Sequence, residues 1–430
     1  MTFVAKSKNN KEEFLSNFVA QDFPQNLYLL KIKEEAELAL RLLDVPTTRS
    51  ENWKYTRVAG LLNRKYTQTT PENFLKDFNF WKTDSHLFVF INGFFSAELS
   101  KLGKEEGAFI LPLSMARRKH PEIFEKHFGQ LARHKTEFFT ALNTVYHTNG
   151  AFIYLNDNTR LIRPVHMVNL CGSSEAAFNP RNLIILGKNS SAKIISSFEA
   201  APNTASTFAN VVTEIFSEEN SNLEFNLIQN ENSGSAQINT THLEMKSGSH
   251  AETFCLTTSG ALVRNNLTVS IEGENSEARL NGIYIGNESN HIDNHTLVEH
   301  KKPGSYSNEL YKGIMGGKST GVFNGKVLVS RDAQKTNAFQ SNQNILLSDS
   351  ATVDSKPELE IYANDVKCSH GSTTGQLDDE AIFYLRSRGI SESQSKQLLL
   401  HAFASEAVNK ISLKTVKEYA ALLVEKTLNR

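Results

Sequence analysis

The sequence has few cysteines, almost no net charge and no long apolar run. Its three cysteines in 430 residues, Cys171, Cys255 and Cys368, are too far apart for the disulfide framework of a small secreted protein. A formal net charge of −1 argues against the basic surface that binds nucleic acid. No apolar run approaches the roughly 18–20 residues that cross a bilayer. We therefore expect no nucleic-acid partner and no membrane partner.

Signal and catalytic motifs are also missing. The first residues lead into a polar stretch at Lys11 without the apolar segment of a secretion signal, which favours a cytoplasmic location. The chain contains no Gly-x-Ser-x-Gly, His-Glu-x-x-His or Cys-x-x-Cys motif. Since no complete catalytic constellation is present, we predict a protein that is not an enzyme.

The composition is that of an ordinary globular protein, with 39% hydrophobic and 22% charged residues. The local residue composition changes twice along the chain. Helix-forming residues dominate at first, short β-rich segments follow, and helical patterns then return. We therefore predict an N-terminal mostly helical domain at 1–150, a β-rich core at 151–370 and a C-terminal helical domain at 371–430.

Two helical patterns and one strand pattern stand out in the first region. Residues 27–43 are good helix formers with apolar residues three to four apart. Residues 122–146 repeat this pattern, and their predicted buried stripe consists of Phe124, Phe128, Leu131, Phe138, Leu142 and Val145. The aromatic and β-branched segment 86–95 predicts a short strand and a turn. Trp53 is best interpreted as a packing anchor.

Four similar turn segments punctuate the middle region. They are rich in Asn, Ser or Gly, each precedes an apolar or alternating strand, and they span 188–192, 219–223, 247–251 and 274–278. Aligned on their last residues, they recur after 31, 28 and 27 residues. A loose period of this length is typical of a solenoid, whose coils bury their apolar faces on one another. We predict a mainly β fold with added helices, built on a right-handed parallel β-helix. A large antiparallel sandwich is the alternative.

The third region predicts two or three amphipathic helices. One opens with the acidic residues that start at Asp378 and closes on Gly389. Ser391 and Ser412 are placed to cap a second and a third helix. These helices could cap the solenoid, form a docking surface, or do both.

The most informative segment is 357–371, in which a strand-like run ends in Cys368-Ser-His370 and helices follow. Residues i and i+2 of a strand point to the same side, so the thiolate and the imidazole would face one common point. Sulfur beside nitrogen suits iron–sulfur or zinc binding, but two ligands cannot close a four-coordinate site. The alternative is a buried cysteine beside a surface histidine. Cys171 and Cys255 lie in apolar or strand-like settings and are predicted to be inert.

Two further patterns allow more than one interpretation. Segment 313–320 resembles a phosphate-binding loop, but Gly313 leaves three residues before Gly-Lys-Ser where the motif needs four. A strand pattern follows it instead of a helix, so we predict a tight turn. His291, Asp293 and His295 share one strand face and would either bind a metal or form an outer polar ladder.

Four segments of the chain resemble the SufB/SufD family of iron–sulfur cluster assembly proteins. The longest is 357–390, which contains Cys368-Ser-His370. The other three are Asn308-Glu-Leu-Tyr-Lys-Gly313, Val322-Phe-Asn-Gly-Lys326 and Ala333-Gln-Lys-Thr-Asn-Ala-Phe-Gln-Ser-Asn342. The resemblance is strong over roughly residues 205–428 and weaker before them.

The chain is more similar to the SufD branch than to the SufB branch. Leu385 occupies a position where SufB typically has a cysteine, and the early segment Glu51-Asn-Trp-Lys-Tyr-Thr56 resembles the N-terminal region of SufD. The resemblance implies a helical N-terminal domain, a right-handed β-helix core and a C-terminal helical domain.

The resemblance also implies partners and a site. It implies a complex with SufB and with the ATPase SufC, which would dock on the C-terminal helices. Cys368 and His370 fall on SufD positions implicated in cluster assembly at the SufB–SufD interface. On this basis the chain is a non-catalytic scaffold subunit that holds a transient iron–sulfur cluster together with its partner and binds none tightly alone. An isolated chain could pair with a second copy as a homodimer.

Two other functions stay open at this point. A purely structural adaptor of the same complex would leave Cys368 inert. A β-helix enzyme acting on carbohydrate would need a secretion signal and an acidic cleft, and the sequence offers neither.

Overall fold

The computed structural model describes residues 10–20, 27–68, 80–201 and 204–429. The helices of these ranges are a segment at 10–15, Leu27–Leu42, the 3₁₀ turn Glu51–Trp53, Ala59–Leu62, Leu113–Lys119, Pro121–His127, Phe138–Tyr146, Asp379–Ser387, Glu392–Val408 and Lys414–Leu428. The helix predicted at 27–43 and the strand and turn predicted at 86–95 are both confirmed.

The strands form two sheets. Sheet 1 contains, in spatial order, β2 (Phe94–Phe95), β1 (His86–Ile91), β5 (Val165–Cys171), β8 (Ser191–Ala200), β10 (Asn222–Asn230), β12 (His250–Thr257), β14 (Glu277–Gly286), β16 (Tyr306–Met315), β18 (Asn337–Leu346) and β20 (Lys367–Gly375). Sheet 2 contains β19 (Thr352–Ile361), β17 (Thr320–Val329), β15 (His291–His300), β13 (Leu262–Ile271), β11 (Ala236–Met245), β9 (Phe208–Ser217), β7 (Arg181–Leu186), β4 (Ala151–Leu155) and β3 (Ala108–Pro112), and the short β6 (Ala177–Phe178) pairs with β9.

The chain winds from one sheet to the other at every strand from β7 onward, and each strand pairs in parallel with the one a full coil later. Such a path is that of a parallel β-helix, with helices added at both ends of the sequence. An antiparallel sandwich is therefore ruled out, because among the strands of the described residues every pairing except β1–β2 and β3–β4 is parallel.

The repeat seen in the sequence is the register of the coils. The last residues of the four turn segments, Ala192, Leu223, Ala251 and Ala278, are successive partners across sheet 1. Each turn contains one residue with positive φ, and these residues are Asn189, Asn220, Gly248 and Asn275. Asn and Gly tolerate this backbone conformation better than other residues, which explains the composition of the turns.

The interior of the solenoid changes character along its length. The early coils are filled with apolar side chains such as Phe178, Ile194 and Phe198. The late coils also bury polar side chains, among them Glu309 and Gln340. Burying an amide or a carboxyl is unfavourable unless it is hydrogen-bonded, so these polar residues must form networks inside the coil.

The helices cover the outer faces of the two sheets. N-terminal helices pack on sheet 2, where Phe139 and Leu142 contact the cluster around Phe208. C-terminal helices pack on sheet 1, where apolar side chains such as Leu400 meet Ile283 and its neighbours. The C-terminal helices thus lie along the side of the solenoid and leave its end at β19 and β20 open.

The pattern at 122–146 is divided between two helices, Pro121–His127 and Phe138–Tyr146. The chain turns at Gly129, whose φ is +75°. The buried Glu214 carboxylate accepts backbone N–H groups of Gly129, Leu131 and Ala132, which holds the connecting loop away from a helical path. Five members of the predicted stripe are buried and Leu131 is part-buried.

Of the two caps predicted for the C-terminal helices, Ser391 is confirmed and Ser412 is wrong. Asp378 caps the Asp379–Ser387 helix, and Ser391 forms a capping box with Gln394. Ser412 does not cap the last helix, whose N-cap is Leu413. The Ser412 hydroxyl instead donates to Glu224 of β10 at 2.5 Å, so it fastens the chain to sheet 1.

Candidate functional site at the open end of the solenoid

β19 and β20 are the last strands of the two sheets in the described chain. Each pairs on one side only, β19 with β17 and β20 with β18. None of their residues is fully buried, and most of β20 is exposed. Their free edges therefore present unpaired backbone N–H and C=O groups, which is the form of edge that another chain can extend.

Cys368 and His370 lie on β20 and point to the same side of that strand. Their register partners on β18 are Ala338 and Gln340, both of which are buried in the solenoid. The two candidate ligands therefore face the interior of the last coil, where no further coil covers them. The alternation of a strand brings them together as the sequence predicts.

The sequence-based description of this segment needs one correction. The run 357–361 and the Cys-x-His pair do not belong to one strand, because a turn at 362–366 separates β19 from β20 and moves the chain to the other sheet. The helices do not follow directly either. β20 continues to Gly375, and the next helix begins at Asp379.

The Cys368 side chain is part-buried against apolar neighbours. It packs on the cluster that contains Val327, Val329 and Ala338. Desolvation raises the pKa of the Cys368 thiol, although a hydrogen bond with the Ala338 backbone lowers it in part. The thiol is therefore protonated at neutral pH and must release a proton when it binds a metal. His370, by contrast, is exposed.

Two buried polar residues beneath His370 were not predicted from the sequence. Glu309 of β16 and Gln340 of β18 are successive register partners, and His370 is the next one. The Gln340 side-chain N–H donates to the Glu309 carboxyl. Burial raises the pKa of Glu309 to about 7. The alternation within strands 306–315 and 337–346 could have placed both residues inside, but it could not have shown that they stack.

A second polar network ties β20 to the coils before it. The Tyr284 hydroxyl donates to Asn344 Oδ1 at 2.6 Å, and Asn344 Nδ2 donates to Asn342 Oδ1 at 2.7 Å. Ser355 of β19 donates to the same Asn342 oxygen at 2.8 Å and lies 2.7 Å from the hydroxyl of Ser372. The strand that carries the candidate ligands is thus held by side chains of both sheets.

The histidines of β15 do not form a metal site with Asp293. Arg264 Nη1 donates to Asp293 Oδ2 at 2.7 Å, and Thr56 donates to the same carboxylate. His295 lies 3.0 Å from Asp293 Oδ1, and His291 lies 2.8 Å from the Thr56 hydroxyl. The metal interpretation is therefore wrong, because these groups are used to hold the N-terminal segment against sheet 2.

Trp53 also contributes to the contacts that hold the N-terminal segment against sheet 2. Its ring lies 3.8 Å from the Arg264 guanidinium and 5.4 Å from the ring of Phe139. Arg264 also donates to the Asn52 carbonyl at 2.7 Å. The predicted role of Trp53 as a packing anchor is confirmed.

Segment 313–320 forms a turn between strands. β16 ends at Met315, Gly317 has a φ of +61°, and β17 begins at Thr320. No helix follows whose N-terminus could meet a phosphate, so the prediction of a tight turn is confirmed.

The other two cysteines point into the interior. The Cys171 thiol is buried and donates to Glu231 Oε1 at 2.8 Å. Desolvation raises the pKa of Cys171 and also raises that of Cys255, to about 12. Both are therefore unreactive thiols, as predicted.

Within the ranges that the structure describes, no three His, Cys, Asp or Glu side chains gather where they could hold a metal ion. None of the helices described there combines the length and the apolar character that crossing a bilayer takes. A complete ligand set around Cys368 and His370 would accordingly need groups from outside these ranges.

Comparison with known proteins gives consistent matches over nearly the whole chain. The family model "SUF system FeS cluster assembly, SufBD core domain" matches residues 169–403, and "SufBD protein N-terminal region" matches residues 22–167. The chain belongs to the SufBD family. Its four family-like segments therefore lie in a SufBD core, three of them on β16, β17 and the stretch that leads into β18.

SufBD proteins from several bacteria are similar to this chain. An iron–sulfur cluster assembly SufBD family protein of Synechocystis is 31% identical over 90% of this chain and 89% of its own length. The iron–sulfur cluster assembly protein SufD of Escherichia coli is 31% identical over 84% of each chain. The SufD protein of Bacillus subtilis is 24% identical over 76% of each. The SUF system of iron–sulfur cluster assembly is therefore the setting of this SufBD protein.

Proposed function

We propose that this chain is a non-catalytic scaffold subunit of a SufB–SufC–SufD complex in the cytoplasm. In this role it contributes Cys368 and His370 to a transient iron–sulfur cluster that a partner subunit helps to hold. The observation that carries the proposal is the position of the two side chains. They share one face of β20, at an end of the solenoid where the edges of both sheets are unpaired.

An incomplete ligand pair suits a cluster that is built and then released. A four-ligand cage within one chain would retain its cluster, whereas a site shared across an interface opens when the subunits move. The partner that completes the site is SufB in this proposal. A second copy of the chain offers the same edges and is the alternative partner when SufB is absent.

The C-terminal helices offer a separate surface for the SufC ATPase. Phe383 and Tyr384 of the Asp379–Ser387 helix are 73% and 55% exposed, which is unusual for large aromatic side chains. Three residues, 376–378, separate this helix from β20. A movement of the helix that follows ATP-driven SufC dimerisation would therefore pull directly on the strand that carries His370.

The test is cluster assembly in a reconstituted complex with SufB and SufC, supplied with iron and sulfide under anaerobic conditions. His370→Ala should lower the cluster absorbance at least about 10-fold, and Cys368→Ser should lower it less. The matched control is His250→Ala, which removes an exposed histidine from β12 of the same sheet. Normal cluster yield with His370→Ala would refute the ligand role and leave a purely structural adaptor.

A second experiment tests the docking surface. Phe383→Asp should abolish capture of SufC and leave SufB binding intact. Leu422→Asp is the control, because Leu422 is also exposed but lies on a different helix, Lys414–Leu428. Equal loss of SufC with both variants would contradict docking through the Asp379–Ser387 helix.

A further inference from the structure

A column of three side chains runs along the interior of sheet 1 and ends at His370. Glu309, Gln340 and His370 are register partners on β16, β18 and β20. Adjacent strands of a sheet lie about 4.8 Å apart, so each side chain of this column sits directly beneath the next. Glu309 is fully buried and Gln340 is nearly so.

The Gln340 amide is held at one end and free at the other. Its Nε2 donates to Glu309 Oε2, which fixes the orientation of the amide. Its Oε1 is buried and has no hydrogen-bond partner within the described part of the chain. A buried amide oxygen without a partner is costly, so this acceptor is available to a donor that reaches it from above.

The opposite wall of the coil leaves room for this amide. Gly325 of β17 faces it, and a Cβ at that position would lie 2.2 Å from Gln340 Nε2. Any larger residue would push the amide away from Glu309. Glu309, Gly325 and Gln340 belong to three of the segments that resemble the SufB/SufD family, so those segments meet at one point in the fold.

We propose that Gln340 is a positioning residue for His370 and that Glu309 holds it in place. Gln340 Oε1 accepts the N–H of one imidazole nitrogen, which fixes the tautomer and leaves the other nitrogen free for iron. Histidine ligands of metals generally donate their second N–H to such an acceptor. This inference rests on the proposed function, since it takes His370 as a cluster ligand.

The experiment uses the reconstituted complex with SufB and SufC, iron and sulfide. Gln340→Leu keeps the size of the side chain and removes the acceptor, so it should lower the cluster yield about 10-fold. Gly325→Ala should have the same effect by displacing the amide. Gln343→Leu on the same strand is the matched control and should leave the yield unchanged. Thermal unfolding and SufC capture of each variant show whether the chain is folded.

Rescue separates positioning from a general structural role. The double variant Glu309→Gln with Gln340→Glu exchanges donor and acceptor within the pair and still offers an oxygen to His370. We expect it to restore the yield to within about 3-fold of the unmodified chain. Pulsed EPR of the dithionite-reduced cluster should show the nitrogen coupling of a bound imidazole in the unmodified and double-variant complexes. That coupling should be weakened or lost with Gln340→Leu.

The outcomes distinguish this inference from the function on which it rests. If His370→Ala lowers the yield but Gln340→Leu does not, Gln340 has no positioning role and the ligand role of His370 stands. If Gln340→Leu lowers the yield but the nitrogen coupling is unchanged, positioning is likewise overturned. If His370→Ala gives normal clusters, the proposed function fails and this inference fails with it.

Discussion

Lys312 of β16 and Glu406 of the Glu392–Val408 helix form an ion pair that joins the solenoid to its C-terminal helices. The lysine is only 2% exposed, whereas the glutamate is 54% exposed. The ammonium also lies 4.2 Å from the centre of the Phe403 ring. The two partners of this pair are therefore not equivalent. Loss of the glutamate leaves a buried ammonium without its carboxylate, whereas loss of the lysine leaves a carboxylate that is exposed to water.

The first prediction concerns that asymmetry. Glu406→Gln should lower the stability of helix docking by about 1–3 kcal/mol, since a desolvated ammonium is left without its carboxylate. Lys312→Met should cost less than about 1 kcal/mol, because the freed carboxylate faces water. Hydrogen exchange of the Glu392–Val408 helix measures both effects. Lys396→Met, which breaks an exposed pair with Glu392, is the control, and equal effects of the first two variants would contradict the argument.

The second prediction concerns the loop that joins the Pro121–His127 and Phe138–Tyr146 helices. Arg181 and Glu214 form a fully buried pair at 2.5 Å. Desolvation raises the pKa of Glu214, but the Arg181 guanidinium and three backbone N–H donors outweigh it and hold that pKa below its usual value. Glu214→Gln should therefore cost about 3–5 kcal/mol of unfolding free energy. Denaturant titration tests this.

The matched control is Glu219→Gln, since Glu219 pairs with Lys188 at the surface and its loss should cost less than about 1 kcal/mol. Because the pKa of Glu214 is lowered by folding, its contribution is present at neutral pH and is lost as the pH falls through the folded pKa. A penalty for Glu214→Gln that stays constant down to acid pH would contradict this account.

The third prediction concerns the contact between the last helix and sheet 1. Glu199 of β8 is buried beside Tyr419 and accepts the Trp81 backbone N–H at 3.4 Å. Desolvation raises the pKa of Glu199 to about 7. A carboxyl with a raised pKa binds its proton more tightly in the folded chain. Its contribution to stability is therefore complete below about pH 4.5 and is lost as the pH rises towards 7.

Glu199→Gln should accordingly match the unmodified chain near pH 4.5 and be more stable than it at pH 8. The midpoint of thermal unfolding at the two pH values measures this difference. A difference that does not change with pH would show that Glu199 does not titrate in this range.

The fourth prediction concerns Gly313 of β16. A Cβ at this position would lie 2.4 Å from Asn344 Oδ1 and 2.6 Å from the Tyr284 ring. Gly313→Ala should therefore disturb the polar network behind β20 and lower stability by about 1–3 kcal/mol. Gly375→Ala is the matched control, because a Cβ there meets nothing within 4 Å. Equal stability of the Gly313→Ala and Gly375→Ala variants in denaturant titration would contradict this interpretation.

Local patterns in the sequence were sufficient to predict the solenoid. The turn segments recur because each of the four has a residue with positive φ at the same place, and Asn189 and Gly248 provide it in two of them. The strand pattern also placed Cys368 and His370 on one face. Both results depend on residues within about 30 positions of each other, which is the range that periodicity can detect.

Contacts between distant segments could not be predicted in this way. The Ser412 hydroxyl donates a hydrogen bond to Glu224, 188 residues away, and so does not cap the helix that it precedes. The Glu214 carboxylate accepts backbone N–H groups within residues 129–132. It thereby interrupts the segment 122–146, whose sequence alone has a helical pattern. In each case a buried or part-buried charge from another coil overrides the local preference of the chain.

The open end of the solenoid has an energetic consequence. In a stacked array each coil is stabilised chiefly by its two neighbours, and the coil that contains β19 and β20 has a neighbour on one side only. A subunit that docks there supplies the missing neighbour and raises the local stability of that coil. If a partner subunit docks at this edge, as proposed above, the ordering of the Cys368 and His370 side chains would be coupled thermodynamically to subunit association, and an iron site built on them would become well ordered only in the assembled complex.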